Sequence, residues 1–133
     1  ISDRDSTAPL HLCDNDADQA KGSSSIHQPT GHLKYFEWCT FEETIEVPCL
    51  TLDTLCLDIP AIDLLWVDIQ GAERDAIAGG AETFKRTRLI FIEAEEVEMY
   101  EGQALKPELL ALLPTFEVVE DFGYNVMLRR KCG

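Results

Sequence analysis

The chain has 133 residues of which 45% are hydrophobic, enough for one compact core but not for two. Its 25 acidic against 11 basic residues give a formal net charge of −14, and that field repels nucleic acid and anionic membrane surfaces. No apolar run approaches the roughly 20 residues that span a bilayer, and the N-terminus is polar and acidic, so a soluble chain is expected.

Five cysteines (Cys13, Cys39, Cys49, Cys56 and Cys132) are scattered, odd in number and without a C-x-x-C pair. That pattern predicts reduced thiols and a cytoplasmic setting. The opening Ile1-Ser2-Asp3-Arg4 reads as the end of a strand entering a turn, so a preceding segment is expected.

Ala8 to Cys13 suits a short strand, and Asp14 to Gly31, with Gly22-Ser23-Ser24-Ser25 at its middle, reads as loop. Leu33 to Val47 mixes aromatics with acids and has no clear period, although Thr40-Phe41-Glu42-Glu43 fits a capping box. Thr51 can cap a helix whose leucines Leu52 and Leu55 lie at helical spacing, with Pro60 as a stop.

Ile62-Asp63-Leu64-Leu65-Trp66-Val67-Asp68 is nearly continuous in apolar residues and predicts a parallel strand buried on both faces. A helix follows Gly71, with Glu73 and Asp75 in its first turn and Lys85 and Arg86 in its last, each opposing the macrodipole. Ala76, Ile77, Ala81 and Phe84 make its buried stripe, and Gly79-Gly80 marks either close packing or a break. Arg88 to Glu93 is a second buried strand, completing a βαβ unit.

Lys106-Pro107-Glu108 opens another helix with Leu109, Leu110, Leu112 and Leu113 as its apolar face and Pro114 as its end. Phe116 to Glu120 and Asn125 to Leu128, joined through Asp121-Phe122-Gly123-Tyr124, form a terminal antiparallel hairpin. The expected architecture is a single α/β domain over residues 1–133.

The stretch IDLLWVDIQGAE from Ile62 to Glu73, followed by AIAGGAETF and LIFIEAE, resembles the FkbM-type methyltransferases, and Leu50 to Leu55 matches that family's lead-in. The likeness runs from ISDRDSTAPLHL to the terminal hairpin. It implies part of a Rossmann-like class I methyltransferase sheet, here its C-terminal portion, and S-adenosylmethionine as cofactor.

The family's sheet holds that cofactor on a glycine-rich turn after its first strand and an acid after its second. No G-x-G-x-x-G occurs among the eight glycines of this chain. Weak or no cofactor binding by the chain alone is therefore expected.

Ligands of open α/β sheets sit beyond the carboxyl ends of the strands, which directs attention to Asp68, Gln70, Glu93 and Glu95. Methyl transfer to a hydroxyl needs a base, and Asp68 could serve, although it could equally cap the following helix. Glu93 ends an apolar strand where an unpaired carboxylate is costly, which makes it the second catalytic candidate.

Gln70, Glu73 and Glu95 are candidates for binding a small-molecule acceptor. The acidic run Glu95, Glu96, Glu98 and Glu101 could attract a cationic substrate or be a solvated face. By resemblance, Ser2 and Asp3 contact the cofactor. Asp68 and Glu93 could also hold Mg²⁺, but no metal is assigned. His11, His27 and His32 are given no chemistry.

The resulting expectation is an O-methyltransferase acting on a small molecule or sugar hydroxyl, incomplete or inactive as this chain alone. The alternative is a non-enzymatic α/β interaction module that dimerises through an open sheet edge. A metal-dependent hydrolase ranks last.

Overall fold

The computed structural model describes residues 1–14 and 22–132. It is a mixed α/β structure with two sheets. A two-stranded antiparallel ribbon pairs β1 (Ser6–Asp14) with β2 (Thr40–Cys49). A four-stranded sheet has the order β3-β4-β6-β5, from β3 (Ile62–Val67), β4 (Thr87–Glu93), β5 (Phe116–Asp121) and β6 (Asn125–Arg130).

β3 and β4 run parallel, as expected, and β6 is antiparallel to both β4 and β5. The expected terminal hairpin is thus present, and its second strand docks beside β4.

The short helices are α1 (His32–Tyr35), α2 (Leu52–Leu55), α3 (Glu73–Ala78), α4 (Ala81–Lys85) and α5 (Lys106–Leu112). At α2 the Thr51 hydroxyl accepts the Thr54 amide at 3.0 Å, the cap expected there. Pro107 sits in the first turn of α5, and Glu108 Oε2 accepts the Leu105 amide at 3.0 Å.

Gly79-Gly80 breaks the expected single helix into α3 and α4. A Cβ on Gly79 would lie 2.6 Å from the Ser2 carbonyl oxygen, so the pair provides both a break and a close approach. Asp53 then caps the second piece, accepting the Thr83 amide and hydroxyl at 2.7 Å each.

One face of the larger sheet is packed. Val67, Ile90, Ile92, Val126 and Leu128 meet Ala76, Phe84, Leu109 and Leu113 from the helices in one cluster. Ala81 and Leu112, expected in that core, are exposed instead, because the chain turns at Gly80 and α5 ends before Leu113.

The other face is open, which corrects the reading of β3 as buried on both sides: Leu64 is 49% and Trp66 68% exposed. β3 is an edge strand among the described residues, paired with β4 alone, and no layer covers Trp66, which packs only edge-on against Phe91.

Two further expectations are corrected. Thr40 to Glu43 forms no capping box but begins β2, where Thr44, Ile45 and Val47 suit a pleated ribbon and the partner β1 decides the matter. Cys13 and Cys39 are not reduced thiols: they are joined by a disulfide with Cα atoms 6.2 Å apart. Cys49 and Cys56 are free and buried, and Cys132 is free and exposed.

The loop expected from Asp14 to Gly31 lies partly outside the described residues. Beyond Asp14, which ends β1, its described part is turns with isolated bridges from Ser25 to His11 and from Pro29 to Tyr100. No described helix is long and apolar enough to cross a membrane.

Candidate functional site

The parallel strands β3 and β4 both end at one side of the sheet, and their last carboxylates, Asp68 and Glu93, come together there. β3 stops because Gln70 adopts φ 53° and Gly71 φ 93°, left-handed conformations that end a strand abruptly. A Cβ on Gly71 would stand 2.9 Å from Tyr100 Cβ, so only glycine admits the tyrosine ring at this turn.

The turn is clamped from below by Glu73, whose side chain is 1% exposed. Its Oε1 accepts the Ile69 amide at 3.1 Å and the Gly71 amide at 3.4 Å. Burial pushes the Glu73 carboxyl above its ordinary range, with the Asp68 charge adding to the rise against these amide bonds.

Above the turn, Gln70 Nε2 donates to Asp68 Oδ1 at 2.7 Å. The single Tyr100 hydroxyl proton faces two acceptors, the Ser23 carbonyl at 2.7 Å and Gln70 Oε1 at 3.1 Å, while Ser25 Oγ donates to the Gln70 carbonyl at 2.6 Å. Gln70 is therefore a fixed strut rather than a solvent-facing turn residue. Burial raises the Tyr100 phenol well above its ordinary value and keeps it protonated.

Glu93 is half-buried beside this group. Burial first, then the carboxylates of Asp68, Glu73 and Glu95, push its pKa up to about 8, and a hydrogen bond with Asp68 contributes. Burial thus favours the protonated form of Glu93.

Beside Glu93 opens a cleft of about 250 Å³ whose walls include His32, Phe36, Trp38, Glu95 and Tyr100. His32 stacks at 4.8 Å from Phe36 and 5.6 Å from Tyr100. Its wall is set by α1 and the segment to Cys39, held by the bond to Cys13 and by the His32 amide donating to the Met99 carbonyl at 3.0 Å.

The structure brings Asp68, Gln70, Glu73 and Glu93 into one cluster with Glu95 on the adjoining wall. It places Ser2 and Asp3 elsewhere, in a groove shared with Arg4, Ile26, His27 and Asp75. There Ser2 is buried, its amide donating to the Leu50 carbonyl at 3.0 Å, and Asp3 is exposed.

His27 Nε2 donates to Asp75 Oδ2 at 2.8 Å, and that bond raises the pKa of the imidazole. Among the described residues no three histidine, cysteine or carboxylate side chains converge as a cation site.

Sequence reasoning missed His32, Phe36, Trp38 and Tyr100 as site residues. Their convergence comes from contacts between distant segments, and only Tyr100, within an acidic run and two residues before Gly102, carried any local sign.

The profile of the Methyltransferase FkbM domain matches residues 1–126. The chain belongs to the FkbM methyltransferase family. It is 43% identical over 130 residues to the 2-O-methyltransferase NoeI of Sinorhizobium fredii (strain NBRC 101917 / NGR234), a match covering 95% of this chain and 54% of that protein. The chain thus spans about half the length of its FkbM relative. No solved structure matches it.

Proposed function

We propose that the chain forms the acceptor-side half of an S-adenosylmethionine-dependent O-methyltransferase, with Asp68 as the base for the acceptor hydroxyl and Glu93 as its proton-bearing partner. The observation that carries this reading is the placing of Asp68, held by Gln70, and half-buried Glu93 at the carboxyl ends of two parallel strands, with Glu93 on the wall of a cleft.

S-adenosylmethionine, when bound, supplies an electrophilic methyl group. The described residues fit such a donor only in part. The Asp68 carboxylate at the end of β3 suits a sulfonium cation, and Ser2 and Asp3 line a polar groove. The glycine-rich turn that would seat its adenosine portion is not in the sequence.

The chain's own residues handle the acceptor's proton. Gln70 fixes the Asp68 carboxylate, protonated Glu93 donates to it, and Asp68 receives the acceptor's hydroxyl proton. Glu73 positions the turn that carries both Asp68 and Gln70.

The open face and edge of β3 agree with a half-sheet. Leu64 and Trp66 are exposed on a strand with one free side, and NoeI contains roughly as much chain again. A Rossmann-like sheet would continue there. Weak cofactor binding by this chain alone follows from that reading.

The test replaces the matching half of NoeI with this chain and measures methyl transfer from S-adenosylmethionine. The chimera should turn over, and Asp68→Asn should abolish turnover with the fold kept by circular dichroism. Full activity of Asp68→Asn would remove the proposed base, and tight cofactor binding by the 133-residue chain in calorimetry would remove the half-site reading.

The free side of β3 also supports a second reading, a non-enzymatic module that dimerises by pairing that edge with another copy. A monomer by light scattering at all concentrations would dismiss it.

A further inference from the structure

We infer that the cleft beside Glu93 takes a ring-shaped ligand carrying a cationic nitrogen, with Glu95 Oε2 and His32 Nδ1 as its hydrogen-bonding partners and Trp38 and Phe36 as its ring contacts. As the class of acceptor, this ligand rests on the methyltransferase function proposed for the chain.

Two buried polar atoms on the walls of this cleft, His32 Nδ1 and Glu95 Oε2, have no hydrogen-bond partner among the described residues. His32 is 5% exposed, so its nitrogen has been taken out of water. Leaving such atoms unpaired costs free energy that a bound group recovers.

Burial pushes the His32 imidazole below its ordinary pKa, so it is neutral at pH 7 and Nδ1 can accept. Glu95 is an acceptor as well. Glu95 therefore calls for a donor on the ligand, and His32 Nδ1 takes one in the tautomer that carries its proton on Nε2.

The charge of the walls points the same way. Glu93 and Glu95 line the cleft, and among the described residues no lysine or arginine does. Lys106, whose charge reaches Glu95, is engaged by Asp121 at 3.1 Å, Glu96 at 3.3 Å and the Gly123 carbonyl. An anion would meet the acidic Glu95 and no pairing base among the described lining residues, whereas an ammonium would pair with Glu95.

The aromatic walls add to this preference. Trp38 is 60% exposed and stands edge-on to Phe36 at 5.9 Å, presenting ring surface for an apolar ring and for a cation above it. Of the acidic run, Glu96 and Glu98 are solvated and only Glu95 turns into the cleft, so the run is neither wholly face nor wholly site.

The test uses three probes on the same six-membered ring: cyclohexylammonium, cyclohexanol and cyclohexanecarboxylate. Each is titrated into the full chain, and the NMR signals of the Trp38 indole and the His32 ring are followed. The ammonium should bind about tenfold tighter than the alcohol, the carboxylate weakest, and Glu95→Gln should remove the ammonium's advantage.

Equal or tighter binding of the alcohol or the carboxylate overturns the inference, as does the absence of shifts at Trp38 and His32 with every probe. An unchanged ammonium preference in Glu95→Gln overturns the part given to Glu95. The order of probes on the unaltered chain needs no variant to fold, and none of these readings depends on methyl transfer.

Discussion

Glu73 reaches back from the first turn of α3 to the amide of Ile69, 3.1 Å away, so a buried carboxylate ties the end of β3 to the helix that follows it. This single bond, with the one to Gly71, fixes the position from which Asp68 and Gln70 project. Glu73→Ala strands two buried amides and should cost about 1–3 kcal/mol in urea unfolding. Glu73→Gln keeps an oxygen for those amides and should cost less.

The Glu93 carboxyl has an ordinary pKa of 4.5 and is held at about 8 in the fold, so folding favours its protonated form. Its stabilising contribution is complete below the unfolded value and is lost as pH rises through the folded one. The urea midpoint of the chain should therefore fall between about pH 5 and about pH 8.5. Glu93→Gln should flatten that part of the profile and be the more stable protein at its alkaline end. A wild-type profile that rises over this window would contradict the burial of Glu93.

Much of this arrangement was legible in the sequence, and the reasons are local. The apolar run from Ile62 and that from Leu89 could only be strands, Thr51 could only cap, and the acids at the strand ends had to lie where parallel strands finish. Whether Trp66 has a neighbour is not written in its own strand, because an apolar run looks the same with or without a covering layer. The acid-rich β2 was hidden for a similar reason: its pairing with β1 supplies what its composition does not. His32 and Trp38 reach the cleft through a disulfide and a backbone bond to Met99, contacts with no periodic trace.

Gly71 should be intolerant of any side chain. Its φ is 93° and a Cβ would press on Tyr100 at 2.9 Å, so Gly71→Ala combines backbone strain with overpacking. A loss of about 2–4 kcal/mol is expected, read as a fall in the thermal midpoint.

The bond between Cys13 and Cys39 closes a separation of 26 residues in sequence. Non-reducing peptide mapping should recover the two cysteines in one linked species, and iodoacetamide should label exposed Cys132 well before buried Cys49 and Cys56. Reduction should lower stability by about 2–4 kcal/mol and loosen the Trp38 wall of the cleft. The cytoplasmic setting expected from five free thiols loses that support, since such bonds persist in oxidising compartments.

The free edge of β3 bears on how the polypeptide behaves in concentrated solution. A strand that offers unpaired backbone groups beside Leu64 and Trp66 is a template for a second chain, and nothing in its own sequence except Asp63 and Asp68 opposes such growth. The formal charge of −14 supplies the opposition from the rest of the molecule, through repulsion that salt screens within about 10 Å at 0.1 M. Colloidal stability of the isolated chain is therefore a matter of ionic strength, and the acidity spread over the molecule is what keeps one open sheet from finding another.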